Sequence, residues 1–213
     1  MKILRTLLLA LICLAMVTAC NKSSESKQKN DQEVAEEATT MPKGNEQNAQ
    51  EQQEADVPVK IPTPSLEEQK EYYLKETKPA IEAINEDYDF AWETLWTYTF
   101  NGLSDGSISF TDGIKKLETA EKRYDRLYKK AQEIPTEGLD KENTNKVGSY
   151  VVEIQDAISF RLEAINEAIK MLKDEDLSQS NIEGIYTIVN DANSFMMQAV
   201  AYFTDIEKTL NDK

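Results

Sequence analysis

Oxygen-bearing side chains crowd the stretch NGLSDGSISFTD, Asn101 to Asp112. A twelve-residue calcium loop places oxygen ligands at positions one, three, five, seven, nine and twelve, with Gly at six and an apolar residue at eight. Asn101, Asp105, Ser107, Ser109 and Asp112 supply oxygens at fitting positions, Gly106 is the central Gly, and Ile108 is the apolar residue. Leu103 falls at position three, where a ligand belongs, and Asp112 is shorter than the Glu that chelates with both oxygens. The candidate metal ligands are therefore Asn101, Asp105, Ser107 and Asp112. The same residues also make a helix hairpin, with Gly102 ending one helix and Ser109 capping the next, Asp112 three residues on. The hairpin is the first expectation and calcium the second.

Other residues pose narrower questions. Glu82, Glu86, Asp87 and Asp89 could serve acid–base or di-metal chemistry, but di-iron bundles draw on a Glu-x-x-His motif and the chain has no His. A solvated acidic face is the expected use. Tyr88, Phe90, Trp92, Trp96, Tyr98 and Phe100 are six aromatics in thirteen residues. They cannot share one helical stripe, since successive residues advance about 100°. Either this helix is central and wide-faced, or its end is a contact surface, for which Trp92, Trp96, Tyr98 and Phe100 are the candidates. Arg161, one of four Arg in the chain, falls between Ile158 and Leu162 in an apolar stripe. It is expected to snorkel to the edge, to pair with an acid on a facing helix, or to bind a ligand. Asn166, Asn190 and Asn193 are expected near helix seams.

Composition removes whole classes of chemistry. Without His there is no His-based acid–base catalysis, no Ser-His-Asp or Cys-His nucleophile and no His-containing zinc site. No phosphate loop or hydrolase elbow occurs. Acidic residues outnumber basic ones 39 to 24, a net charge of −15, which repels nucleic acid and anionic head groups.

The two cysteines have another use. Lys2 and Arg5 precede an apolar run, Leu7 to Val17, that is too short to span a bilayer, and Val17-Thr18-Ala19-Cys20 follows. This resembles the signal peptide of bacterial lipoproteins, in which a Leu/Val-small-small-Cys box is lipidated on the Cys and cleaved just before it. The resemblance covers the first twenty-odd residues. It implies removal of residues 1–19, a thioether-linked diacylglyceryl anchor with palmitate-type chains on Cys20, and residence on the extracytoplasmic side of the cell membrane. Cys13 then leaves with the signal and Cys20 carries lipid, so the mature chain has neither free thiol nor disulfide. Loss of Lys2 and Arg5 takes its net charge near −17, so the lipid rather than basic residues must hold the membrane.

The elements that position these residues come after a tether. Residues 20–64 are rich in Glu, Gln, Asn, Lys and Ser and contain none of the seventeen aromatics. They are expected to be disordered, stiffened at the end by Pro58, Pro62 and Pro64, with a reach of roughly 35–40 Å. Residues 65–213 show four segments of helical period: about 65–100, 109–134, 140–173 and 180–210. In the first, Ile81, Ile84, Tyr88, Ala91, Leu95 and Tyr98 make the apolar stripe. Pro79 either kinks this helix or starts its main part. Ser180 with Glu183 reads as a capping box. Gly113, Gly148 and Gly184 fall near helix starts, so either the starts come later (Ser149 for the third) or the backbone is closely approached there.

The fold expected is all-α: an up-down-up-down antiparallel four-helix bundle preceded by a disordered tether. The function expected is non-enzymatic, with no cofactor and no nucleic acid: a lipid-anchored envelope protein that binds another envelope component through its helices. The alternative is binding of a small or cationic ligand, such as a divalent metal, a basic peptide or an apolar molecule.

Overall fold

The computed structural model describes residues 63–211, which form four helices; among the described residues there is no strand. The lipobox, Cys20 and nearly all of the expected tether lie outside them. Helix α1 runs without a break from Leu66 to Asp105, α2 is Phe110–Ala131, α3 is Lys141–Lys173 and α4 is Gln179–Asn211. Among the described residues no helix is long and apolar enough to cross a membrane.

Each start follows from local chemistry. Ser65 and Glu68 close a capping box at α1, with Ser65 N–H donating to Glu68 Oε2 at 2.8 Å. Ser109 caps α2 by accepting from Asp112 N–H at 3.1 Å, and Asp140 caps α3 by accepting from Asn143 N–H at 2.8 Å. The expected capping box at Ser180 is not formed. Helix α4 begins one residue earlier, its first bond runs from Ile182 N–H to Ser178 O, and Glu183 instead takes Gln179 Nε2 at 2.6 Å.

Helix α1 departs from a plain 3.6-residue period. Tyr73–Thr77 and Trp92–Thr97 are π-helical turns, in which Lys78 N–H reaches back five residues to Tyr73 O and Tyr98 N–H to Glu93 O. The first turn widens the ladder just ahead of Pro79, whose missing N–H and bulky ring would strain an ordinary α-turn. Pro79 therefore neither ends the helix nor restarts it after a gap. The second turn adds one residue to the stripe. Beyond Ala91 the buried set is Trp96, Thr99, Phe100 and Leu103, not the expected Leu95 and Tyr98. Leu95 is half-buried and Tyr98 is 57% exposed.

The wide-faced helix is α3 rather than α1. It buries Val147, Tyr150, Ile154, Ile158, Ile165 and Leu172, with Ala157, Ala164 and Ala168 between them. The small residues let neighbouring helices approach closely, which is why it can be covered on several sides. Polar groups tie the helices at their ends. Gln69 Oε1 accepts from Asp140 N–H and Asn143 Nδ2, both at 3.0 Å, and Thr77 Oγ1 donates to Pro135 O at 2.7 Å. Lys78 Nζ meets Glu207 at 2.6 Å across α1 and α4, and Lys146 Nζ meets Asp205 at 2.9 Å across α3 and α4.

The glycines divide. A Cβ at Gly102 would sit 2.4 Å from the Ile108 side chain, and one at Gly113 would sit 3.2 Å from Leu103, so both permit close approach. At Gly148 and Gly184 nothing lies within 4 Å. Gly148 is inside α3, eight residues after its Asp140 cap, so the later start at Ser149 does not occur. Gly148→Ala should raise the unfolding free energy by about 0.5–1 kcal/mol, because Ala restricts the unfolded chain and the new methyl meets open space. Urea denaturation reads this directly; an unchanged or lower midpoint would refute it.

Candidate functional site

The twelve residues Asn101–Asp112 do not form a loop. Asn101 to Asp105 are the last turn of α1, Gly106 turns the chain in the left-handed region (φ 80°), and Phe110 already belongs to α2. Gly102 is therefore inside the helix, and Gly106 is the stop. Asp105 Oδ1 accepts from Ser107 N–H at 2.8 Å, and Asp112 Oδ2 accepts from the Ser109 hydroxyl at 2.7 Å. The two carboxylates thus serve separate turns at the two helix ends. Among the described residues no group of three acidic side chains converges to hold a metal.

The acidic set on α1 is split as well. Asp87 forms an ion pair with Arg123 of α2, whose Nε–H donates at 2.8 Å, and Glu82 lies 3.6 Å from Lys78. Glu86 and Asp89 have no ion-pair partner among the described residues.

The aromatic run separates by face. Trp96 and Phe100, two of the four contact-surface candidates, are buried; Trp92 is half-buried; Phe90 and Tyr98 are 52% and 57% exposed. Both exposed rings carry a cation from α2: Arg123 over Phe90 at 4.5 Å and Lys116 over Tyr98 at 4.9 Å. The π turn places Trp92 and Trp96 in parallel stack, centroids 4.4 Å apart and planes 14° apart, and Phe100 tilts onto Trp96 at 4.6 Å.

Arg161 ends this stack. It is 4% exposed, and its guanidinium lies 3.5 Å from the centre of the Trp92 ring. Its Nε–H donates to the Tyr88 hydroxyl at 2.9 Å and its Nη2–H to Asn193 Oδ1 at 2.7 Å, so it joins α1, α3 and α4. It neither snorkels nor forms an ion pair: no carboxylate of the described residues is within 4.0 Å, and Nη1 has no hydrogen-bond partner. The indole face holds the charge instead, a contact worth about 2 kcal/mol when water is excluded. Tyr124 completes the cluster, packing edge-on against Tyr88 at 5.4 Å and donating its O–H to the Tyr88 carbonyl at 2.9 Å. Burial drives the Tyr88 and Tyr124 hydroxyls upward in pKa, with Arg161 opposing in both. Of the three asparagines, Asn193 is in this network, Asn190 is half-buried and Asn166 is exposed.

Asp89, one residue from Tyr88, has its pKa raised by burial first, with Glu93 adding repulsion and Arg161 opposing. A carboxyl raised in the folded state stabilises below its unfolded pKa, and that contribution is lost as pH rises through the folded value. Asp89→Asn should therefore raise the melting temperature at pH 7, with the gain vanishing by about pH 3, where the carboxyl is neutral in both states. Melting curves of the pair across pH check this; a pH-independent difference would refute it.

Two parts of this site escaped the sequence: the partners of Arg161, and the open flank of α4. There Tyr186, Met197 and Val200 are 37%, 65% and 42% exposed. Their signal was present, since Tyr186, Asn190, Asn193, Met197, Val200 and Thr204 repeat at intervals of four and three beside the core stripe. Compared with known proteins, the chain matches no protein-family model, no curated protein and no solved structure.

Proposed function

We propose that this chain is a non-enzymatic lipoprotein of the cell envelope. Lipid on Cys20 anchors it to the extracytoplasmic face of the cell membrane, residues 20–64 act as a disordered tether, and residues 65–213 bind another envelope protein. The helices make an up-down-up-down bundle in this reading. Its support is the order of the cross-helix pairs: Thr77 with Pro135, just past the end of α2, then Asp87–Arg123 between α1 and α2, and Lys146–Thr209 then Arg161–Asn193 between α3 and α4. Partner numbers fall on one helix as they rise on the other.

The observation that carries the binding role is the set of large apolar side chains left in solvent on a chain of net charge −15, Met197 above all. Two experiments test the reading. Cells fed a palmitate analogue should label the wild-type chain and not Cys20→Ser. A photo-crosslinker placed at Met197 should give one discrete adduct in intact cells, absent when it is placed at exposed Asn166. Absence of label, or equal adducts at both positions, would overturn it.

One observation favours the cationic-ligand alternative. A cleft of about 430 Å³ lies where α3 meets α4, lined by Glu163, Glu167, Asp174 and Asp176 around Met171 and Ile185. Its carboxylates and apolar floor suit an amine with a hydrocarbon body. A rise in melting temperature with such an amine, lost in Glu167→Gln, would support this alternative; no rise would remove it.

A further inference from the structure

Helices α3 and α4 leave a cleft of about 430 Å³ between them, near the turn that joins them. Two inter-helix pairs set the register of its walls. Arg161 meets Asn193, and Phe160 stacks on Phe195 at 5.2 Å. With the two helices antiparallel, as read above, Gly184 then stands level with Lys170 and Met171, in the middle of the α4 wall. No packing contact calls for a glycine there. A Cβ at 184 would meet nothing within 4 Å, and glycine inside a helix is less stable than alanine. The missing side chain instead leaves space in the centre of the cleft. The floor is Met171 and Ile185, which are 3% and 4% exposed.

The charge of the lining is spread along the cleft. On α3, Glu163, Glu167, Lys170 and Asp174 follow at intervals of four, three and four, so they share one face. At 1.5 Å per residue, Glu163 and Asp174 stand about 16 Å apart along the helix axis. Lys170 lies 3.7 Å from Glu167. That leaves Glu163 at one end and Asp174 at the other without an ion-pair partner among the described residues. Asp176 joins Asp174 where α3 ends, and the partial negative charge of a helix C-terminus adds to theirs. Among the described residues no three acidic side chains converge to hold a metal. Separated positive charges joined by an apolar chain therefore suit this cleft better than one compact cation. Its volume falls in the range of small-molecule sites.

We infer that the α3–α4 cleft binds a linear aliphatic polyamine, one terminal ammonium against Glu163 and Glu167, the other against Asp174 and Asp176, with the methylene chain over Met171 and Ile185 past Gly184. Each end makes charge-assisted hydrogen bonds, and the chain takes apolar surface out of water. Lys170 competes for Glu167, so Glu163 and Asp174 are the carboxylates that read the spacing of the ligand's charges. Gly184 sets the width of the site. The inference rests on the cationic-ligand alternative above and names the ligand class, its two anchor points and the residue that keeps the cleft open.

The probes are diaminooctane, octylamine, diaminopropane and magnesium ion, each titrated calorimetrically into the full chain carrying Cys20→Ser at about 0.15 M salt. Diaminooctane should bind, and the single-headed amine, the short diamine and the compact ion should each bind about tenfold more weakly or worse. Glu163→Gln and Asp174→Asn should each weaken diaminooctane about tenfold. Gly184→Leu removes no charge and fills the centre of the cleft. It should weaken diaminooctane about as much, with a melting temperature no lower than wild type, because leucine is the better helix former. Asp125→Asn on α2 is the control and should change binding less than twofold. Magnesium binding as tightly as diaminooctane, or equal losses in Asp125→Asn and Asp174→Asn, would show diffuse charge attraction and overturn the inference. So would wild-type binding in Gly184→Leu, which would put the ligand elsewhere. A Lys-rich helical peptide that outcompetes diaminooctane and is weakened by the same variants would make the occupant a protein and also overturn it. Octylamine matching diaminooctane, with both lost in Glu167→Gln, overturns the two-ended site and leaves the amine alternative standing; no heat with any amine overturns both.

Discussion

Trp96→Ala should lower the unfolding free energy by about 3–5 kcal/mol, the range for truncating a fully buried Trp, and should reduce the melting temperature by about 10 °C. The side chain is fully buried and lies between Trp92 and Phe100. Its removal opens a void that a π-helical turn cannot easily close, because neighbours on both sides belong to the same stack. Trp92→Ala should cost less, since Trp92 is half-buried. It should, however, uncover the Arg161 guanidinium and leave that charge without its aromatic face. Chemical denaturation of the two variants gives both numbers. Equal losses would mean that the stack shares its energy differently from its burial.

The second large effect belongs to Arg161. Arg161→Ala should destabilise by about 2–4 kcal/mol, combining a cavity beside Trp92 with the unpaired Tyr88 hydroxyl and Asn193 amide oxygen. Arg161→Met keeps most of the volume and discards a buried charge whose Nη1 has no partner. Its loss should be smaller, about 1–2 kcal/mol, because well-packed apolar replacements of buried charge often recover much of the stability. Arg161→Lys should do no better than Met: an ammonium cannot span Tyr88 and Asn193 from the ring face as a planar guanidinium does. Equilibrium unfolding of the three variants decides this. Matching losses for Ala and Met would show that the charge and its hydrogen bonds, rather than the volume, are what the fold uses.

Much of the architecture was legible in local chemistry. The cleanest 3.6-residue repeat, Val147 through Leu172, is helix α3 to within one residue of the expected ends, and Ser65, Ser109 and Asp140 cap as their side-chain oxygens require. Register was less legible in α1. An ideal repeat carries the stripe from Ala91 to Leu95 and Tyr98, whereas the π turn at Trp92–Thr97 adds a residue and passes the core to Trp96 and Phe100. The alternation Trp96-Thr-Tyr98-Thr-Phe100 was a trace of this. Its two large buried rings are four residues apart, and Tyr98 falls between them on the opposite side.

The candidate site divides in the same way. Residue types alone excluded imidazole and thiol chemistry from the helical domain, and the lipobox residues carried the expected address. Arg161 was conspicuous from its place in an apolar stripe. Whether it met an acid, a ring or water depended on Tyr88, Trp92 and Asn193, which lie 73, 69 and 32 positions away in sequence and which no local rule brings together. At Asn101–Asp112 the outcome turned on one local competition: helix propagation through Leu103, buried against α2, holds Asn101 to Asp105 in α1 rather than in a twelve-residue loop. Helix number and the caps at Ser65, Ser109 and Asp140 were thus determined by the sequence, because they depend on neighbours within a turn. The register beyond Ala91 and the partners of Arg161 were decided only in the tertiary structure, because each depends on how closely two distant helices pack.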